Sequence, residues 1–148
     1  MLFSLLFLLL SGVAYAKPNG KPLVVASIQP LSLFAEEFFG NQVTVRTLLL
    51  PSQNPHQASF TPQQLVLVQQ ADLVIWLGAD AEPYLVPYLA QRKRPALALL
   101  QQPGVTPLRE AGGQAADLDP HLWLNPEFLV SLLPNLVRAG TSLGLPQA

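Results

Sequence analysis

The chain has 148 residues, room for one domain or for one domain behind a cleaved leader. A net charge of −1 and a pI near 6.0 give no basic field for a phosphate backbone, which excludes nucleic-acid binding. The absence of cysteine excludes thiolate catalysis, a lipid-carrying cysteine and any Cys-based zinc site. Charged residues make up 11% of the chain, against roughly 25% in ordinary soluble domains, so part of the surface is expected to be buried against something.

Residues 1–16 form an apolar run too short to span a bilayer comfortably, ending in the small-x-small pattern Ala14-Tyr15-Ala16. This predicts a signal peptide cleaved before Lys17. No Lys or Arg precedes the apolar core, and an uncleaved anchor is the alternative. Leu23-Val24-Val25-Ala26-Ser27 is Val-rich without alternation, as in a strand buried on both faces. Pro30 opens a helix with Leu31, Phe34, Ala35 and Phe38 on one face, stopped by Gly40. Val43 to Leu50 reads as a second strand, and Pro51 to Ser59 as its polar exit loop, with His56 inside it.

Thr61-Pro62-Gln63-Gln64 is a helix start with a capping-box residue at its third position, and Leu65, Val68 and Gln69 carry that helix to Ala71. Leu73 to Leu77 is the third strand, ended by Gly78. A helix follows over 82–91, its first turns made irregular by Pro83 and Pro87. Pro95 to Leu100 is a fourth strand on weaker grounds, since Ala and Leu serve helices as readily as sheets. The Pro- and Gly-bearing stretch 101–118 reads as a long loop. Asn125-Pro126-Glu127 then caps a helix with apolar positions Phe128, Leu132, Leu136 and Val137, fading at Gly140.

Strands alternating with helices predict an α/β, Rossmann-like fold: a parallel sheet of about four strands, flanked by helices. Ligands of such sheets gather at the carboxyl ends of the strands. His56 and His121, the two histidines of the chain, are both predicted at that edge. Neutral imidazole suits zinc, manganese, iron and nickel, and two imidazoles need further ligands to complete a site. Asp119 and Glu82 are the carboxylates that can reach the same edge, each as a ligand or as a group orienting an imidazole. For Glu82 a helix-start role, complementing the helix dipole, is the preferred reading over both. Leu122, Trp123 and Trp76 read as core. Ser27 lacks the setting of a nucleophile elbow, and neither histidine has an evident serine partner, so the residues favour binding over catalysis.

Asp119-Pro120-His121-Leu122-Trp123-Leu124-Asn125-Pro126-Glu127 resembles a block of the zinc- and manganese-binding proteins of bacterial ABC importers, the cluster A-I metal solute-binding family. The resemblance extends to Asn54-Pro55-His56 ahead of Phe60-Thr61-Pro62, to Ala71 through Gly78, and to Val25-Ala26-Ser27-Ile28-Gln29-Pro30, in the family's order. It implies a first lobe at 17–124 that supplies His56 and His121 to a metal ion, zinc before manganese, held in a cleft between two lobes. Residues 125–148 would then begin a lobe-connecting helix, the second lobe having no counterpart in the sequence.

The implied protein is not an enzyme. It is periplasmic or extracellular, captures a divalent metal and delivers it to an inner-membrane permease, here as a truncated or partial form. A non-catalytic interaction module, joined to a second lobe or to itself, and a non-functional remnant are the alternatives.

Overall fold

A strand as uniformly apolar as Leu23-Val24-Val25-Ala26 has no side to turn toward water, and it lies at the centre of the sheet. The computed structural model describes residues 20–54, 59–106, 119 and 121–146. The leader assigned to 1–16, His56 and most of the 101–118 loop lie outside the described residues. Four strands, β1 (Leu23–Ala26), β2 (Thr44–Thr47), β3 (Leu73–Trp76) and β4 (Ala96–Ala98), form one parallel sheet in the order β2-β1-β3-β4. β1 pairs with β2 on one side and β3 on the other, with Val25 opposite Arg46 and Val74. β1 and β3 are buried throughout, whereas β2 and β4, at the two edges, are only partly covered.

The helices α1 (Gln29–Phe39), α2 (Pro62–Gln70), α3 (Val86–Leu89) and α4 (Pro126–Ser142) cover both faces. A right-handed crossover fixes the face by the direction of travel. α1 moves the chain from β1 to β2, while α2 and α3 move it the other way, from β2 to β3 and from β3 to β4. They therefore belong on opposite faces, and the packing separates them. Val24, Ala26, Leu73 and Ile75 pack with Leu31 and Ala35 of α1 and with Leu132 and Leu136 of α4. Leu23, Val25, Val74 and Trp76 pack with Val68 of α2 and with Leu85.

Local chemistry sets the element ends. At α2 the capping box forms as the sequence predicts: Gln64 N donates to Thr61 Oγ1 (3.3 Å) and Thr61 N to Gln64 Oε1 (2.9 Å). At α4 the Asn125 Oδ1 accepts from Glu127 N (2.9 Å) and Phe128 N (3.3 Å), satisfying two of the free N–H groups of the first turn. The far end of α2 is met by arginines, with Arg92 donating to the Ala71 carbonyl (3.0 Å) and Arg94 to that of Gln70 (2.5 Å).

Several boundaries differ from the sequence reading. β2 stops at Thr47, although Leu48 N and Leu49 N still donate to the carbonyls of Ala26, the last residue of β1, and of Ser27 directly after it. The helix expected over 82–91 is a 3-10 turn, Pro83–Leu85, followed by the four-residue α3, because Pro83 and Pro87 withhold the N–H groups that a continuous helix requires. α4 runs through Gly140, which is buried within it, and ends at a Schellman motif, where Gly144 has φ +75° and Leu145 N donates to the Gly140 carbonyl. Val137, expected in the apolar stripe, is exposed, while Phe128, Leu132 and Leu136 are buried. Trp123 is only partly buried.

Two substitutions in α4 test this account in opposite directions. Leu132 is fully buried between α4 and the sheet, so Leu132→Ala is expected to lower the stability by about 2–5 kcal/mol through lost burial and a cavity. Pro134 lies exposed inside the same helix, so Pro134→Ala is expected to raise it by roughly 1–3 kcal/mol. Urea unfolding followed by circular dichroism measures both.

Candidate metal centre

An open parallel sheet binds ligands where neighbouring strands send their connections in opposite directions. Here that point lies between the carboxyl ends of β1 and β3, since β1 leads toward β2 and β3 toward β4. Glu82 occupies it. Its carboxylate accepts from Leu77 N after β3 (2.6 Å), from Ser27 Oγ after β1 (3.0 Å) and from Tyr84 Oη (3.1 Å), and the residue is 1% exposed. Burial pushes the Glu82 carboxyl up from its ordinary range, opposed by these three hydrogen bonds, and burial beside Glu82 pushes the Tyr84 phenol up as well. The helix-dipole role expected for Glu82 does not materialise: the side chain caps no N–H of the following turn and points into the protein instead.

Gly78 follows at φ +126°, a conformation open to glycine, and a Cβ there would overlap the Gln101 side-chain amide. Gln101 in turn donates to Asp80 (3.2 Å). The carboxyl edge of β3 is thus held by polar groups that satisfy one another.

His121 sits at the start of the 3-10 turn Leu122–Leu124, just before α4. The fully buried Leu122 anchors this turn in the core, which leaves the His121 side chain about half exposed. Asp119 Oδ1 accepts from His121 N and stands 2.9 Å from His121 Nδ1. An ionised carboxylate only accepts, so in the neutral imidazole Nδ1 is the protonated nitrogen and Nε2 the one with a lone pair. These hydrogen bonds, backbone first, hold the Asp119 carboxyl below its ordinary range. The Trp123 ring meets the imidazole edge-on at 5.4 Å between centroids. This is the arrangement of an imidazole whose tautomer and direction are set in advance.

Of the residues singled out from the sequence, Asp119 and His121 are brought together, and Glu82 is engaged by Ser27, Leu77 and Tyr84. His56 lies outside the described residues. Among the described residues, no three His, Cys, Asp or Glu side chains form a group that can hold a metal ion. Sequence reasoning missed Ser27 and Tyr84 as partners of Glu82; Ser27 directly after a buried strand was the available signal.

The doubly covered parallel sheet and the Asp119-oriented imidazole of His121 define an α/β lobe that carries one oriented candidate metal ligand. Residues 24–143 match the family model for zinc-uptake complex component A, periplasmic (ZnuA), and the chain belongs to that family. It is 31% identical over 127 residues to a putative metal-binding protein of Thermotoga maritima, covering 82% of this chain and 42% of that protein. To the high-affinity zinc uptake system protein ZnuA of Yersinia pestis it is 35% identical over 86 residues, or 57% of this chain and 27% of that protein. Among solved structures, a ZnuA deletion mutant with zinc bound superposes with a TM-score of 0.72 at 26% identity, over 83% of this chain and 47% of that one. The chain spans less than half the length of the relatives it matches.

The buried carboxyl yields a pH signature. With its pKa raised above 4.5, native Glu82 keeps its proton to higher pH than the unfolded chain does, so stability falls as pH rises from about 4.5 through the folded value and levels off above it. The Glu82→Gln variant lacks this titration. Urea midpoints compared across about pH 4 to 8 should show wild type losing stability relative to Glu82→Gln; a difference independent of pH would contradict the assignment.

Proposed function

We propose that this chain binds a divalent transition metal, zinc before manganese, outside the cytoplasm, and that it serves capture and delivery to an ABC permease rather than catalysis. The observation that carries the reading is His121, with Nδ1 engaged by Asp119 and Nε2 left for a ligand, in a chain of the ZnuA family. The family relationship supports zinc as cargo: the matched relative from Yersinia pestis is named for high-affinity zinc uptake, and the superposed ZnuA structure holds zinc. His56 is the second ligand in this reading. Both imidazoles belong to the lobe at 17–124, with export directed by residues 1–16.

Two imidazoles alone make a weak site, because tetrahedral zinc takes at least three protein ligands in most proteins. The expected behaviour is measurable but modest zinc affinity, reduced at least tenfold by His56→Ala and by His121→Ala. Asp119→Ala, which removes the group orienting the imidazole, is expected to cost roughly tenfold or more. Calorimetric titration of zinc and manganese into the four proteins measures this. Tight zinc binding indifferent to both histidine substitutions would overturn the reading, and manganese binding more tightly than zinc would reverse the order of cargo.

A second reading, a non-catalytic interaction module, draws on the outer surface of α4. Val130, Leu133 and Val137 are exposed there at helical spacing. Metal-independent self-association in sedimentation, with wild-type metal affinity absent, would favour it.

A further inference from the structure

We propose that a second copy of this chain docks on α4, with the two helices antiparallel about a two-fold axis near Leu133. The inference deepens the interaction reading of α4 by naming its partner, and it holds with or without metal at His121. α4 carries only two charged side chains along its 17 residues, Glu127 in the first turn and Arg138 toward the other end. Between them Val130, Leu133 and Val137 are exposed at the i, i+3, i+7 spacing that lines up along one side of a helix. Exposed Pro134 and Thr141 continue that side, whereas Phe128, Leu132, Leu136 and Ala139 are buried in the core. An apolar seam of this spacing is what one helix presents to another.

The charges select the occupant. Glu127 and Arg138 stand about three turns apart, so they flank the seam on the same side, one toward each end. Side chains on the same flank of two antiparallel helices face each other. A two-fold axis midway between them therefore brings Glu127 of each copy to Arg138 of the other, so that the attraction is made twice. A parallel pair would set Glu127 against Glu127 and Arg138 against Arg138. Arg138 donates from Nη2 to Asn135 Oδ1 and has further N–H groups for a carboxylate. The same rotation lays Val130 of the second copy over Val137, at the rim of a cavity of about 330 Å³ between α4 and the end of α1, lined by Phe38, Phe39, Leu136, Val137 and Leu145. One helix face is a small contact beside the roughly 800 Å² per partner of a stable complex, so the dimer is expected to be reversible.

Sedimentation equilibrium of the chain with a chelator present, over about 1 to 200 μM protein, tests the pairing. The expected result is an equilibrium between monomer and dimer with a Kd on the order of tens of micromolar. Val137→Asp is expected to weaken it at least roughly tenfold, and Val66→Asp, at a comparably exposed position on α2, to leave it unchanged. Glu127→Lys and Arg138→Glu are each expected to weaken it roughly threefold to tenfold, and an equimolar mixture of the two to regain the wild-type affinity, because opposite charges then meet at both ends. Circular dichroism checks that each variant folds, and the charge variants decide alone should Val137→Asp not fold. If no association appears, the pairing and the interaction reading fall together. If association persists in Val137→Asp, or Val66→Asp disrupts it equally, the copies meet elsewhere and the pairing alone is overturned. Charge variants that associate as tightly as wild type, or a mixture no tighter than its components, overturn it too, as does assembly that continues past two copies.

Discussion

The pairing of β1 with a strand on each side is the constraint from which the rest of the lobe follows. Both faces of β1 are buried, so its register decides which residues join which core: Val24 and Ala26 go to the α1 and α4 side, Leu23 and Val25 to the α2 and α3 side. A one-residue slip would exchange the two sets and leave both cores mispacked. The same register carries Ser27 to the end of β3, where Glu82 waits for it, and places the Ala26 and Ser27 carbonyls to receive Leu48 and Leu49. Central pairing thus fixes both the hydrophobic layers and the polar edge above them.

The polar groups of the lobe differ in how fully they are engaged. Glu82, Ser27 and Tyr84 satisfy one another across the crevice where such sheets ordinarily admit a ligand. Gln53 and Gln64 satisfy the chain ends around the His56 segment. His121 differs: half exposed and engaged at Nδ1 by Asp119, it sits on a turn whose anchor is apolar. Leu122 anchors that turn in the core, and Asp119 orients the imidazole.

The parallel fold was legible in the sequence because each level agreed: Val-rich runs without alternation, a capping box at Thr61, an Asn-Pro-Glu start at 125. Boundaries were less so. Leu48-Leu49-Leu50 reads as strand because apolar residues next to a strand resemble more strand, yet the turn held by Gln53 claims Leu50 N. Gly140 looks like the end of α4, and tertiary packing of Phe128, Leu132, Leu136 and Ala139 carries the helix past it. For the site, the Asp119–His121 pairing was legible from proximity, since a carboxylate two residues before a histidine reaches its backbone and ring together. The partners of Glu82 were not, since Ser27 lies 55 residues away and only the sheet brings them into contact.

This contrast separates the two carboxylates that looked alike in the sequence. For Glu82 to turn toward a metal ion it would have to abandon the Leu77 N–H and the Ser27 hydroxyl, both inside the protein, at about 1–3 kcal/mol for each donor left unpaired. Its raised pKa adds a second obstacle, because a carboxyl that holds its proton more strongly is a poorer anionic ligand. Asp119 faces neither cost. It is solvated, it ionises more readily than usual, and it already leans on the imidazole that would do the binding. A buried, satisfied acid maintains the wall of the crevice, whereas a partly exposed acid paired with a histidine orients that imidazole.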